Sequence, residues 1–313
     1  MRRRHSPIFA VAVYCLLGAC TSDSIGPVNP EQVAGSVPPA PVPPAPVPPA
    51  PVPPAPLPPA PVPPAPGQTV LFADGFESGA LGTVQNGVRW TRNAYVDVTG
   101  SFGRAGGRSA RFRQGTPLGD GTWAELRFGG LPRLSEVFVQ YYLYMPNGAE
   151  TPSVGPRVTV LNPGGNDKFF RIWADDYNAA PKYGASTWSR PGNIGVLGSE
   201  YTYVADNGEV WGMGQGPTPS PVVPLIIDAN KGRWLQIRIR TKVSGPDNRS
   251  GVIQIWVDGV LMVNDTSLHT YAPGGTRNYF ANGYILGYAN SGFQPGQFMY
   301  VDDVKISTGG FPN

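Results

Sequence analysis

Hydrophobic and polar residues alternate along much of the C-terminal part of the chain, and this alternation predicts β-strands. In the clearest segment, 234–242, the apolar and polar side chains occupy opposite sides of the strand. The predicted strands are 123–128, 137–144, 168–173, 234–242, 252–257, 260–263, 284–288 and 298–306. Asp258-Gly259 predicts a tight hairpin. Because no segment carries the pattern of a long amphipathic helix, the sequence predicts an all-β antiparallel sandwich.

Composition divides the chain into a proline-rich part and a body. Of the 37 Pro residues, 18 lie in residues 38–66, where PPAPV repeats. Proline fixes φ and removes hydrogen-bond donors, so this stretch predicts a polyproline II helix spanning roughly 90 Å. Its expected role is a stalk, and the alternative is a ligand for a proline-binding module. Residues 67–313 hold most of the aromatic residues and are expected to form the sandwich.

The N-terminus has the features of an export signal. A basic run, Arg2–Arg4, precedes a short apolar stretch and then Leu17-Gly18-Ala19-Cys20. This order resembles the lipobox of bacterial lipoproteins, which implies a signal peptide at 1–19, a lipid on Cys20 and a disordered tether at 20–37. The resemblance implies a bacterial envelope protein, and Thr21 after the Cys favours the outer membrane. The alternative is a plain secretory signal.

The predicted mature chain has few thiol or imidazole groups that could act in catalysis or bind a metal. Without residues 1–20 no Cys is left, and His269 is the only His. This excludes a thiol nucleophile and a histidine-cluster zinc site. Without Arg2–Arg4 the basic and acidic side chains balance, so the sequence predicts no nucleic-acid partner. We expect a monomer without an organic cofactor.

The order of the predicted strands resembles a known superfamily. The body opens with the segment 72–79, contains Gly232-Arg233-Trp234 and the hairpin 251–260, and closes with 300–306. Together these motifs resemble the concanavalin A-like lectin/glucanase superfamily. The resemblance implies a jelly-roll β-sandwich of two antiparallel sheets and a polysaccharide partner. Fold alone does not choose between binding and catalysis in this superfamily.

Alternation also predicts a candidate sugar-binding face, provided that the strands share one sheet. Its members are aromatic, Arg, Gln and Glu side chains that could stack on sugar rings or pair with carboxylates. They are Trp123, Glu125, Arg127, Gln140, Tyr142, Arg171, Trp173, Gln236, Arg238, Arg240, Gln254 and Trp256. The alternative is an ordinary solvated strand face, with Trp173 and Trp256 in the core.

One strand resembles a catalytic motif. Glu125-Leu126-Arg127 resembles a strand motif of jelly-roll alginate lyases, and segment 168–178 resembles their Lys- and Tyr-containing segment. The resemblance implies that Arg127, with Gln140, neutralises a uronate and that Tyr177 transfers protons. The alternatives are structural strand residues or sugar contacts without turnover. Asp175 and Asp176 are adjacent, so they do not form the acid pair of a retaining glycosidase.

Acidic residues at both ends of the body raise the possibility of a metal. Asp74 and Glu77 lie in the opening segment 72–79, near the first strand of the body, and Asp302 and Asp303 lie in the last predicted strand. Their carboxylates suit a structural Ca²⁺ ion, which prefers oxygen ligands. The alternative is four surface acids near turns.

The Gly- and Pro-rich tract 178–224 is expected to be a long loop that walls a cleft, with one strand at 201–204. From these features we expect an exported, membrane-anchored protein that binds a polysaccharide. One alternative is a polysaccharide lyase that cleaves a uronate-containing glycan by β-elimination. A second is an adhesion or scaffold lipoprotein that contacts protein.

Overall fold

The computed structural model describes residues 67–114, 122–150, 154–159, 166–178, 181–190, 193–204, 210–215, 224–247, 249–271, 277–290 and 292–313. The predicted signal peptide, tether and stalk lie outside these residues, and so does Cys20. The described residues contain no helix long and apolar enough to cross a membrane.

Strands dominate the described part of the chain, which also has one 3₁₀ helix at Asp228–Asn230. The strands are β1 (Thr69–Asp74), β2 (Val84–Gln85), β3 (Val88–Ala94), β4 (Val96–Val98), β5 (Ala110–Arg113), β6 (Thr122–Leu134), β7 (Glu136–Tyr144), β8 (Asn166–Trp173), β9 (Lys182–Arg190), β10 (Asn193–Val204), β11 (Val210–Gln215), β12 (Trp234–Lys242), β13 (Gly251–Val257), β14 (Val260–Leu268), β15 (Phe280–Ala289) and β16 (Phe298–Thr308). Each segment predicted from alternation lies within one of these strands.

The strands form two sheets, and every pairing among the described residues is antiparallel. The first sheet has the order β14-β13-β12-β7-β16-β5-β4, and β1 also pairs with β16. The second has the order β11-β10-β9-β8-β15-β6-β3-β2. The predicted all-β jelly-roll sandwich is therefore confirmed.

The hydrophobic core draws on one face of each sheet. Phe112, Val139 and Ile237 of the first sheet and Leu126 and Phe170 of the second are fully buried in one apolar cluster. Their strand neighbours point away from the core, because successive side chains alternate between the faces of a sheet. The two outer faces are thus the surfaces available for function.

Turn chemistry agrees with the sequence at the β13–β14 hairpin. Asp258 and Gly259 both have positive φ, 48° and 81°, as a type I′ turn requires.

The tract 178–224, in contrast, is not the long loop that we expected. It contains β9, β10 and β11, which extend the second sheet, and the Tyr183 side chain is buried in the core.

The start and the end of the body lie side by side. Thr69 at the start of β1 pairs with Thr308 at the end of β16. The other edge of β1 is capped by side chains from the second sheet's β2 and the turn after it. Gln85 Oε1 accepts a hydrogen bond from the Ala73 N–H (2.8 Å), and Asn86 Nδ2 donates to the Leu71 carbonyl (2.9 Å). These backbone groups of β1 therefore have hydrogen-bond partners, and β1 is hydrogen-bonded to both sheets.

Candidate active site

The residues predicted to form one sugar-binding face lie on two different sheets. Trp123, Glu125, Arg127, Arg171 and Trp173 lie on β6 and β8 of the second sheet. The others lie on β7, β12 and β13 of the first sheet: Gln140, Tyr142, Gln236, Arg238, Arg240, Gln254 and Trp256. The idea of a single pooled face is therefore wrong, because the core separates the two sheets.

On the first sheet, the predicted residues bind one another. Arg238 Nε donates to Gln140 Oε1 at 2.9 Å, and Gln236 Nε2 donates to the Tyr142 hydroxyl at 3.1 Å. Gln140 is thus the partner of Arg238, and the predicted pairing of Gln140 with Arg127 is wrong. Arg240 is held in the same way by Glu136 at 2.7 Å and by Gln254 at 3.0 Å.

Part of this first-sheet face is also covered by the C-terminal segment. The Phe311 ring centre lies 5.1 Å from that of Phe138 and 5.4 Å from that of Trp256. The Arg238 guanidinium carbon lies 5.6 Å from the Phe311 ring centre. Because these side chains pack and pair with each other, the face is better suited to stabilising the fold than to binding sugar.

The outer face of the second sheet carries a cluster of aromatic rings around one guanidinium. The Arg127 guanidinium carbon lies 5.7 Å from the ring centres of Trp173 and Tyr177 and 5.9 Å from that of Tyr284. Strand register creates this arrangement, because Tyr284 on β15 pairs with Arg127 on β6 and with Arg171 on β8. Tyr177 follows β8, and its ring packs edge-on against Trp173 at 5.0 Å.

Two phenols meet within this aromatic–cation cluster. The hydroxyl oxygens of Tyr177 and Tyr284 are 3.4 Å apart. Burial raises the pKa of Tyr284 well above its ordinary value, so its hydroxyl stays protonated. Tyr177 is half-buried, whereas Tyr284 is buried. Tyr177 therefore presents the more accessible hydroxyl of the pair.

Lys182 adds a second cation that the sequence did not single out. Its Nζ lies 4.3 Å from the Tyr177 ring centre. Burial lowers the pKa of Lys182 to about 8; Arg171 and Lys168 lower it further, and Asp176 opposes this. The amine therefore changes charge close to neutral pH. Lys182 was missed because it lies in the tract that we expected to be a loop.

Arg171 supports the cluster from within the sheet. The structure places this predicted sugar contact at 1% exposure, with its guanidinium donating to the carbonyls of Phe170 and Ala185 and to Ser186 Oγ. Gly184, opposite Arg171 on β9, leaves room for the side chain to cross the strand. Burial lowers the pKa of Arg171. Arg171 is thus a buried positive charge beneath the cluster, and its predicted role as a surface contact is wrong. Trp173 is 5% exposed and is likewise covered.

Glu125 restrains Arg127. The two side chains share a face of β6, and Arg127 Nε donates to Glu125 Oε1. Glu125 is 4% exposed, whereas about a quarter of the Arg127 side chain (26%) remains accessible. A substrate anion could therefore still reach the guanidinium.

The four acids predicted to hold calcium are occupied by hydrogen bonds. Asp74 accepts from the Phe76 N–H and from Trp90 Nε1, both at 2.7 Å, and Glu77 accepts from the Arg108 N–H at 3.0 Å. Among the described residues, no three acidic, histidine or cysteine side chains are grouped so as to hold a metal ion. The carboxylates of Asp74 and Glu77 thus bind protein donors in this structure. Calcium binding stays a prediction from the sequence.

Asp302 and Asp303 likewise have partners in the loop before β5. Asp302 accepts from the Arg104 N–H at 2.7 Å, and Arg104 Nε donates to Asp303 at 2.7 Å. His269, which follows β14, is half-buried and contacts none of these acids.

The raised pKa of Asp302 leads us to expect that the stability of the fold depends on pH. Burial raises its pKa from 3.8 to about 6, with smaller contributions from Asp303 and Glu77 and opposition from two backbone N–H groups. Because the folded state binds this proton more tightly than the unfolded state, the free energy of unfolding should fall as the pH rises from about 4 to about 6, by up to about 3 kcal/mol. Thermal unfolding across this range should show the fall, and Asp302→Asn should remove it. Asp303→Asn is the matched control: it should keep the fall but make it slightly smaller, because Asp303 contributes to the raised pKa of Asp302. An equal fall in Asp302→Asn and the wild type would contradict the assignment to Asp302.

Comparison with known proteins supports the fold. No protein-family model matches the sequence, and no curated protein gives a significant match. Among solved structures, the endo-β-1,4-glucuronan lyase of the fungus Trichoderma reesei is 16% identical, with a TM-score of 0.50 over 77% of this chain and 96% of that one. The likeness is one of fold.

Other similar structures have different activities. The marine alginate lyase of Aplysia kurodai is 11% identical, with a TM-score of 0.46 over 76% of this chain and 98% of its own. A non-specific endo-β-1,3(4)-glucanase of family GH16 is 13% identical, with a TM-score of 0.42 over 79% of this chain and 94% of its own. Fold alone does not determine a reaction, so the choice of reaction must rest on the site.

Proposed function

We propose that the protein is a polysaccharide lyase that cleaves a uronate-containing glycan by β-elimination. The observation that carries the proposal is the cluster on the second sheet. There, the Tyr177 hydroxyl lies beside Tyr284, with Lys182 and Arg127 over the Tyr177 ring. A cation for the substrate carboxylate and a phenol for proton transfer are the two requirements of this chemistry.

In the proposed reaction, Arg127 binds the uronate carboxylate, and the largely buried Lys182 (8% exposed) adds a positive charge close to it. Their charge stabilises the negative charge that develops as the C5–H bond breaks. The Tyr177 oxygen takes the C5 proton as general base, a double bond forms between C4 and C5, and the C4–O bond breaks. Tyr177 then gives this proton to the departing oxygen, which leaves as a hydroxyl, and Tyr177 returns to its starting state for the next turnover. Tyr284 holds the Tyr177 oxygen by the hydroxyl–hydroxyl contact.

Binding without cleavage is the second candidate. It is favoured by the pairing of Arg127 with Glu125, because a substrate carboxylate must share the guanidinium with that buried acid. The aromatic–cation cluster would then recognise an acidic sugar without proton transfer.

The deciding experiment is to incubate the purified protein with a panel of polyuronates and neutral polysaccharides. Absorbance near 235 nm follows the unsaturated uronate that β-elimination makes, and affinity electrophoresis follows binding. Increasing absorbance with a polyuronate would support the lyase. Retarded migration without absorbance would favour binding alone, and neither result across the panel would favour the protein-contacting scaffold.

The cell-envelope location is part of the proposal and rests on the sequence alone. Lipid on Cys20 would anchor the protein, and residues 38–66 would hold the body away from the membrane. A lyase held in this way would act on glycans near the cell surface.

Lys182 gives the proposed reaction a pH limit. If its ammonium stabilises the bound substrate carboxylate, kcat/KM should fall roughly tenfold as the pH rises through about 8, because that positive charge is lost. Lys182→Arg should move this fall to higher pH, and Lys182→Met should be low throughout.

Lys168 provides the matched control, because burial also lowers its pKa to about 8. Lys168→Met should keep the alkaline limb, moved slightly to higher pH because Lys168 contributes to lowering the pKa of Lys182. A profile that loses its alkaline limb in Lys168→Met but keeps it in Lys182→Arg would contradict the role of Lys182.

A further inference from the structure

A second group of aromatic and cationic side chains lies on the same outer face of the second sheet. Trp123 on β6 pairs directly with Tyr288 on β15. The Arg92 guanidinium carbon from β3 lies 4.7 Å from the Trp123 ring centre. Tyr288 is 46% exposed, and Trp123 is half-buried. We call Trp123, Tyr288 and Arg92 the distal patch.

The distal patch lies in line with the proposed catalytic cluster. Trp123, Glu125 and Arg127 occupy alternate positions of β6, so their side chains share one face. Likewise, Tyr284 and Tyr288 lie opposite Arg127 and Trp123 on β15. Along β6 and β15, four residues, or about 13 Å of strand, separate Trp123 and Tyr288 from Arg127 and Tyr284, a distance longer than one sugar ring. Arg92 pairs with Arg127 on the neighbouring strand, and its side chain reaches the Trp123 ring between the two groups.

The chemistry of the distal patch matches that of an acidic sugar. The rings of Trp123 and Tyr288 offer apolar surface for the C–H face of a pyranose, and Arg92 offers a cation for its carboxylate. Arg92 forms no ion pair among the described residues, unlike Arg127, which Glu125 binds. A second anion is therefore more easily accommodated at Arg92.

From this arrangement we propose that Trp123, Tyr288 and Arg92 form a distal subsite for a second uronate residue of the same glycan chain. The proposal rests on the proposed function for the position of the reacting sugar. It narrows the substrate class to polymers in which uronates recur within a few residues, as opposed to neutral glycans with isolated acidic sugars. It also predicts that long chains are cleaved more efficiently than the shortest oligosaccharide that the protein accepts.

The test compares polymer and short oligosaccharide in two variants, Trp123→Ala and Arg92→Gln. On a polyuronate, each variant should raise KM roughly fivefold with kcat unchanged, because one stacking or ionic contact is lost. On the shortest oligouronate that is cleaved, neither variant should change KM. Equal effects on both substrates, or no effect on the polymer, would overturn the subsite.

Trp256→Ala is the matched control, since it removes the same side chain type from the first sheet. Its KM for the polymer should equal that of the wild type, and thermal unfolding should show that all three variants are folded.

Affinity electrophoresis in a polyuronate gel separates failure of the subsite from failure of the proposed function. If no substrate is cleaved but Trp123→Ala still weakens retardation, the lyase fails and the subsite stands. If cleavage occurs and Trp123→Ala migrates and reacts like the wild type, the subsite fails and the lyase stands.

Discussion

Replacing Tyr177 by Phe is expected to lower the rate of uronate elimination at least about a hundredfold, because the variant has no hydroxyl to transfer the C5 proton. The ring of Phe preserves the edge-on packing against Trp173, so the fold and the affinity for substrate should remain. Initial rates at 235 nm would measure the change in kcat, and affinity electrophoresis would measure binding.

The control for this change is Tyr142→Phe. Tyr142 is also a tyrosine on a sheet face, but its hydroxyl accepts a hydrogen bond from Gln236 on the first sheet. This variant should cleave at the wild-type rate. Retained activity in Tyr177→Phe would show that another group transfers the proton, and Tyr284→Phe and Lys182→Met would then be tested in turn.

The second large effect is expected at Arg127. Arg127→Gln should lower kcat/KM roughly a hundredfold, because the guanidinium no longer stabilises the charge that develops at the substrate carboxylate. The loss should appear with every substrate that the wild type cleaves. Arg240→Gln removes an arginine from the first sheet and should leave the reaction unchanged.

The loss of activity in Arg127→Gln has a second possible cause, which is Glu125. When Arg127 is replaced, the buried carboxylate of Glu125 is left unpaired beside the site. This negative charge would itself repel a uronate. The double variant Glu125→Gln/Arg127→Gln separates the two causes. If the double variant recovers wild-type activity, the single variant failed through repulsion by Glu125, and Arg127 would not be required for the reaction.

Local structure was predictable from the sequence because it depends on neighbouring residues. Alternation located eight of the sixteen described strands, and Asp258-Gly259 indicated its hairpin, since a type I′ turn needs two residues that tolerate positive φ. Alternation also placed Trp123, Glu125 and Arg127 together on one face of β6.

The assignment of strands to sheets was not predictable in the same way. β6 and β7 are consecutive in the chain, yet they lie in different sheets. A period of two shows which residues of one strand share a face, but it does not show which strand lies beside it. Gln140 was therefore grouped with Arg127 when its partner is Arg238.

Two site residues were missed for physical reasons. Lys182 belongs to β9, whose sequence is rich in small residues and lacks the β-branched pattern of the other strands. Tyr284 was within a predicted strand, but nothing in that strand alone distinguishes a buried phenol beside a guanidinium from an ordinary core tyrosine. Only the register of β15 against β6 reveals it.

The pairing of Thr69 with Thr308 has a consequence for protein engineering. The body begins and ends at neighbouring points of one strand ladder, so it can be spliced into a loop of another protein without separating the host's loop ends widely. By the same geometry, a short linker could join the two ends, and new termini could be opened at the Asp258-Gly259 hairpin to give a circular permutant. This hairpin lies on the first sheet, so such a permutant would leave the strands of the second sheet uninterrupted.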